Sequence, residues 1–136
     1  MTNEERVRRY WERFWSRGDT AAVDDFYAPT FRLNGQDVER GEWRDSAVRW
    51  RSCFRDLSAR VDFLVTCGAT LVISRVLYSG TFEREEYLGL APRGRRIDIS
   101  GLDLFRFEGG RVVDHWHEAD HHMMFVQLGA ELRPAE

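Results

Sequence analysis

A chain of 136 residues with 43% hydrophobic and 13% aromatic content fits one domain around one core, and is too apolar to remain disordered. A net charge of -3 gives no electrostatic footprint for nucleic acid or an anionic membrane. Every basic side chain is arginine, which excludes lysine Schiff-base chemistry.

The elements follow in chain order. Thr2 and Glu5 form a capping-box pattern, and Val7, Tyr10, Trp11 and Phe14 recur at helical spacing until Gly18. Asp19 is the expected N-cap of a second, short helix through Tyr27, stopped by Pro29. Phe31 to Asn34 is a short extended piece before Gly35. A third helix is predicted from near Glu42, with Trp43, Ala47, Trp50, Phe54 and Leu57 along one stripe. The period then changes to two: Val61, Phe63, Val65 and Cys67 alternate with polar residues, and Gly68 turns the chain. Thr70 to about Phe82 is β-rich on both faces, as in a central strand. Tyr87 to Gly94 is a loop, Arg95 to Phe107 a long strand, Glu108 to Gly110 a hairpin turn, and Arg111 to His117 its return. A last helix runs from about Asp120 to Leu128, with Gly129 and Pro134 marking its end and a frayed tail.

Three helices, four strands in antiparallel series and a closing helix make an α+β order within one domain spanning residues 1–136. A strongly curled sheet with aromatic helices across its mouth encloses a pocket. The N-terminal stretch lacks the apolar core of a signal peptide and no run reaches bilayer length, so the expectation is a cytoplasmic protein without membrane partners. Cys53 and Cys67 form no C-x-x-C pair and read as small buried hydrophobes.

Several residues stand out as chemistry. Asp103 interrupts an apolar alternation shared by Ile97, Ile99, Gly101, Phe105 and Phe107, and a buried carboxylate requires a partner. With a three-residue turn at Glu108–Gly110, Phe107 pairs with Arg111, Asp103 falls opposite His115, and His117 lies diagonal on the same face. That is an Asp–His arrangement able to orient an imidazole or shift its pKa; a structural pair that merely satisfies both groups is the alternative. His115, His117, His121 and His122 lie close in sequence, but two sit on a strand and two open a helix, so convergence on a metal is geometrically strained and none is expected. Asn34–Gly35 is a strong turn dipeptide. Tyr27, Trp50 and Tyr78 line the pocket or serve as plain core.

The segment Gly94-Arg95-Arg96-Ile97 through Gly101-Leu102-Asp103-Leu104-Phe105-Arg106-Phe107 resembles the penultimate strand of SnoaL-like polyketide cyclases of the NTF2-like superfamily. Gly110 to Trp116, then Asp120 and Gln127-Leu128-Gly129, resembles their last strand and closing helix, and Phe26-Tyr27-Ala28-Pro29 fits the same pattern. The resemblance implies an NTF2-like cone: a curved antiparallel sheet with N-terminal helices covering an apolar pocket. It implies a cofactor-free cyclase or isomerase acting on a hydrophobic, polyketide-like small molecule, and a homodimer through the open sheet face. It implies Asp120 as general acid/base, against its alternative as a helix cap, and Asn34 as a substrate-binding residue, against its alternative as a turn residue. From the strand pairing, His117 is expected to aid Asp120, and Asp103 and His115 to bind substrate, although the family carries a different polar pair, including a histidine, where Asp103 and Phe105 stand. Epoxide-opening ring closure and a non-catalytic binding domain are the competing functions. The Arg-x-Asp of epoxide hydrolases in this superfamily is missing, since Arg75-Val76-Leu77 stands in that region.

Overall fold

The computed structural model describes residues 1–131 and 133–135, so the expected tail is described apart from residues 132 and 136. Helix α1 (Asn3–Tyr10) opens on the expected capping box: the Thr2 hydroxyl accepts from the Glu5 amide, and the Glu5 carboxylate accepts from the Thr2 amide. The helix does not run evenly to Gly18. It widens into a π-helical segment, Trp11–Ser16, in which the Arg17 amide reaches back to the Glu12 carbonyl. The wider turn lets Trp11, Phe14 and Trp15 all bury on the face that carries Tyr10.

Helix α2 (Ala21–Phe26) ends one residue before the expected Tyr27, which is already extended. Thr20 occupies the cap position, while Asp19 accepts a hydrogen bond from the Ala21 amide. Strand β1 (Tyr27–Leu33) turns through Asn34 and Gly35, both left-handed (φ 50° and 83°), into β2 (Gln36–Glu39). Strand β2 carries the polar sequence Gln-Asp-Val-Glu on the sheet edge and has no apolar alternation to betray it. Helix α3 (Arg40–Ser52) starts two residues before the expected Glu42.

Strands β3 (Ser58–Cys67), β4 (Leu71–Phe82), β5 (Arg95–Glu108) and β6 (Arg111–Ala119) then meander antiparallel, and α4 (His121–Gln127) packs back on β5. The expected four-strand antiparallel series is thus present, and β1 and β2 extend it to six strands in the order β2-β1-β6-β5-β4-β3, with β1 parallel to β6. A register shift between Val61 and Phe63 turns Phe63 and Val65 to the outer face, each 47% exposed, and Cys67 is exposed as well. Cys53 is buried as expected.

Inward residues of β4, β5 and β6 meet the helices in one core rich in aromatic rings, each buried ring contributing about 1.5–3 kcal/mol. Gly101 is a spacer in that face: a Cβ there would stand 3.1 Å from the Tyr78 ring. Ser74, polar in this apolar setting, accepts from the Trp11 indole N–H at 3.2 Å.

Candidate active site

Two features of the last hairpin decide what faces the interior. The turn has two residues, Gly109 and Gly110, so Glu108 pairs with Arg111 and Phe107 with Val112. The next pair is Arg106 with Asp114, which leaves Val113 as an extra residue. Without that bulge the alternation would send both histidines outward. With it, Val112, His115 and His117 share the inner face, while Asp114 turns out to Arg32 and Arg106. The expected pairing is therefore exchanged: His117 stands directly opposite Asp103, and His115 is opposite Phe105.

The expected association nevertheless forms. Asp103 Oδ1 lies 2.6 Å from His115 Nε2 and 2.6 Å from His117 Nδ1, with Asp103 fully buried. A hydrogen-bonded chain approaches from behind His115. The Trp15 indole N–H donates to the Tyr10 hydroxyl at 3.0 Å, Tyr10 and Tyr27 share a 3.0 Å bond, and the Tyr27 hydroxyl lies 3.1 Å from His115 Nδ1. One direction satisfies every member. Tyr10 donates to Tyr27, Tyr27 donates to His115 Nδ1, and His115 Nε2–H donates to the carboxylate. His117 completes the set by donating Nδ1–H to the same oxygen, which leaves its Nε2 outside the chain.

The titration directions agree with that order. Burial alone would push the Asp103 carboxyl up, but the bonds from His115 and His117 outweigh it and hold the group below the usual carboxylate range. Burial pushes His115 below its ordinary value and keeps it neutral. Burial also opposes a charge on His117, yet the Asp103 bond and charge, with help from Glu118, lift it above the ordinary histidine value. Burial raises the Tyr10, Tyr27 and Tyr78 hydroxyls, so all three stay protonated.

These groups face a cavity of about 220 Å³. Asp103, His115 and His117 supply one side, with Trp50 and Tyr78 in the wall as expected. His121 and Tyr87 also contribute to the lining. Burial and the neighbouring His117 lower the pKa of His121. Trp43, expected only as part of a helical stripe, reaches the same space, as do Trp15 and Met124. Tyr27 does not line the cavity; it stands behind His115. Asn34 is also outside it. The residue is an exposed turn whose Oδ1 accepts from the His117 amide at 2.9 Å, so it pins the backbone of the histidine.

Asp120 is exposed, caps α4 by accepting from the Met123 amide at 3.0 Å, and is not among the lining residues, although Ala119 and His121 on either side are. The carboxylate assigned as general acid by resemblance thus serves as the cap of α4. Arg75 points to the outer face and pairs with Asp62 at 2.6 Å, away from the cavity. Two of the four clustered histidines converge with Asp103, their ligand-capable atoms within 4.8 Å of one another, the spacing a divalent ion requires. A proton on His115 Nε2, dictated by Tyr27 behind it, competes with an ion for that lone pair.

A curved open sheet, helices over its concave side and an acid–base pair in an apolar cavity define a small-molecule pocket of the NTF2-like kind. Residues 5–128 match the model of the SnoaL-like polyketide cyclase family, and the chain belongs to that family. TsrD from Streptomyces laurentii is 28% identical over 94% of this chain and 95% of its own, with a TM-score of 0.84. IdmH from Streptomyces antibioticus is 26% identical over 96% and 100%, with a TM-score of 0.81. A SnoaL-like polyketide cyclase from Agrobacterium tumefaciens, 21% identical over 95% and 99% with a TM-score of 0.80, shares the fold. No curated protein matches the chain. Family membership supports a cyclase or isomerase role. Among the described residues no helix is long and apolar enough to cross a membrane.

Proposed function

We propose that the chain is a cofactor-independent cyclase or isomerase that moves a proton on a hydrophobic, conjugated polyketide-like molecule, with His117 as general base and then acid. The observation that carries this reading is the shared Asp103 oxygen, 2.6 Å from both imidazoles within an otherwise apolar cavity. Asp103 orients the His117 ring and stabilises the imidazolium; His117 Nε2 takes a proton from the carbon next to a substrate carbonyl. The resulting enolate attacks a second carbonyl of the same molecule, forming a carbon–carbon bond, and the proton returns from His117 to the new alkoxide. Conjugation in the substrate spreads the enolate charge. A purely binding domain gains nothing from a carboxylate that is costly to bury, which favours catalysis over that alternative.

Enolisation is testable without the natural substrate. Hydrogen–deuterium exchange at C1 of 2-tetralone, followed by NMR in D₂O, should be faster with the protein than with buffer. His117→Gln should abolish about 99% of the acceleration, within the ~10²–10⁴ attributed to general base catalysis. Exchange no faster than buffer, or unchanged in H117Q, sinks the proposal.

A further inference from the structure

Most polar atoms around the cavity are already bonded, sealed off or turned toward solvent. The Trp11 and Trp15 indoles donate to Ser74 and Tyr10, and His115 is held between Asp103 and Tyr27. Among the described residues, Trp43 Nε1 and Asp103 Oδ2 lack a partner but are sealed from any ligand. Ser46, Trp50, Tyr87 and His121 are exposed or only half-buried. Tyr78 differs from all of these. It is 5% exposed and lines the cavity; its hydroxyl bonds none of the described residues, yet is not among the sealed atoms. A buried hydroxyl nearly always has a partner, and the cavity is the direction left open to this one.

The ring that carries the hydroxyl is fixed. Trp11, Trp15 and Trp50 stand edge-on to it, with centroids 5.9, 6.3 and 6.1 Å away, and Gly101 leaves the space that the ring fills. Burial and the Asp103 charge push the phenol well above its ordinary value, so it stays protonated and acts as a donor.

We propose that Tyr78 is the oxyanion donor of this cavity, its hydroxyl donating to the substrate carbonyl and holding the enolate oxygen more strongly once His117 has taken the adjacent proton. The inference rests on the proton-transfer reading. His117 Nε2 takes the C–H proton, the C–H pair becomes the new C=C bond, and the carbonyl π pair moves onto oxygen. Tyr78 keeps its own proton throughout while its bond to that oxygen shortens. Conjugation spreads only part of the charge, and the part left on oxygen lies in an apolar cavity where an unpaired anion is costly.

Tyr78→Phe removes the hydroxyl and keeps the ring. Because the hydroxyl bonds no protein group, Tm should stay within about 2 °C of wild type, whereas a structural hydroxyl would lower it further. In the 2-tetralone exchange assay kcat should fall about 10²–10³-fold, the loss expected for one oxyanion donor, with KM within about threefold. A higher KM with unchanged kcat would mean equal binding of ground and transition states and would overturn the oxyanion role. A second readout needs no turnover. Hydrogen bonding deshields a carbonyl carbon, so the ¹³C resonance of 2-tetralone labelled at C2 should move downfield on binding to wild type and to H117Q, and Y78F should abolish the move. If Y78F exchanges within about threefold of wild type and the carbonyl resonance is indifferent to Tyr78, the inference falls and His117 stays as assigned. If the resonance depends on Tyr78 while H117Q leaves exchange unchanged, the contact stands and the proton-transfer reading fails.

Discussion

Removing the Tyr27 hydroxyl tests whether the buried polar chain behind His115 is one unit. Tyr27→Phe leaves two buried bonds unmade, that of the Tyr10 hydroxyl proton, whose oxygen still accepts from Trp15, and that of His115 Nδ1, both in residues no more than 2% exposed. At about 1–3 kcal/mol for each orphan, with partial relaxation, the loss should be about 2–4 kcal/mol. For 136 residues this lowers Tm by about 7–14 °C. Tyr10→Phe alone orphans the Trp15 indole N–H and one Tyr27 lone pair. The double variant orphans only Trp15 and His115, two groups where the single variants together orphan four. Urea unfolding of all four proteins should therefore give a double-variant loss smaller than the sum of the singles by about 1–3 kcal/mol. Histidine ¹⁵N shifts should show His115 protonated on Nε2 in the wild type. Additivity within about 0.5 kcal/mol, or an Nδ1–H tautomer, would refute the directional chain.

Asp120→Asn keeps an N-cap acceptor but removes the charge, so 2-tetralone exchange should stay within about threefold of wild type. Asp120→Ala should cost about 0.5–2 kcal/mol of stability through the lost cap. A fall in D120N exchange by orders of magnitude would transfer the proton to Asp120 and demote His117. Because the Asp103 carboxylate raises the His117 pKa, wild-type exchange should rise with pH and level off only above the ordinary histidine value of about 6.5; a plateau reached below it contradicts the assigned base. On the outer face, Val65, Ile73, Leu104 and Trp116 form one cross-strand row, and light scattering should give about twice the 16.0 kDa chain mass. Val65→Glu should reduce that to one chain, and a monomeric wild type would remove the dimer.

Much of this arrangement is legible in the residues. Asp103 was conspicuous because it broke an apolar alternation, and the same reasoning required a histidine partner on the facing strand. The partner assignment was exchanged because the Val113 bulge leaves no trace in a sequence where Val112 and Val113 are both apolar. A three-residue turn with a regular strand and a two-residue turn with a bulge put the same histidines on the same face, so the group was found by a count that was wrong by two. Strand β2 escaped because an edge strand with both faces wet has no period to detect. Tyr27 and Trp43 were read as core or wall, since spacing reveals that a ring is buried and not whether its hydroxyl or N–H finds an acceptor. Asp120 shows the opposite limit: both of its readings fit the sequence, and the structure shows the cap.

A charged carboxylate in an aromatic core is expensive, and the order of the chain around it explains both its survival and its use. Two N–H donors converge on one Asp103 oxygen, and each holds a proton there for a different reason. On His115 the proton cannot move inward, because the Tyr27 hydroxyl already occupies Nδ1 and the tyrosines behind it stay protonated. On His117 nothing behind the ring is fixed except its backbone, which Asn34 holds by the amide. The ring can therefore gain and lose a proton at Nε2 while keeping Nδ1–H on Asp103. The network thus confines proton exchange to one nitrogen at the cavity wall. A substitution at His115 should consequently disturb folding and the His117 pKa together, whereas one at His117 should remove chemistry and leave the core in place.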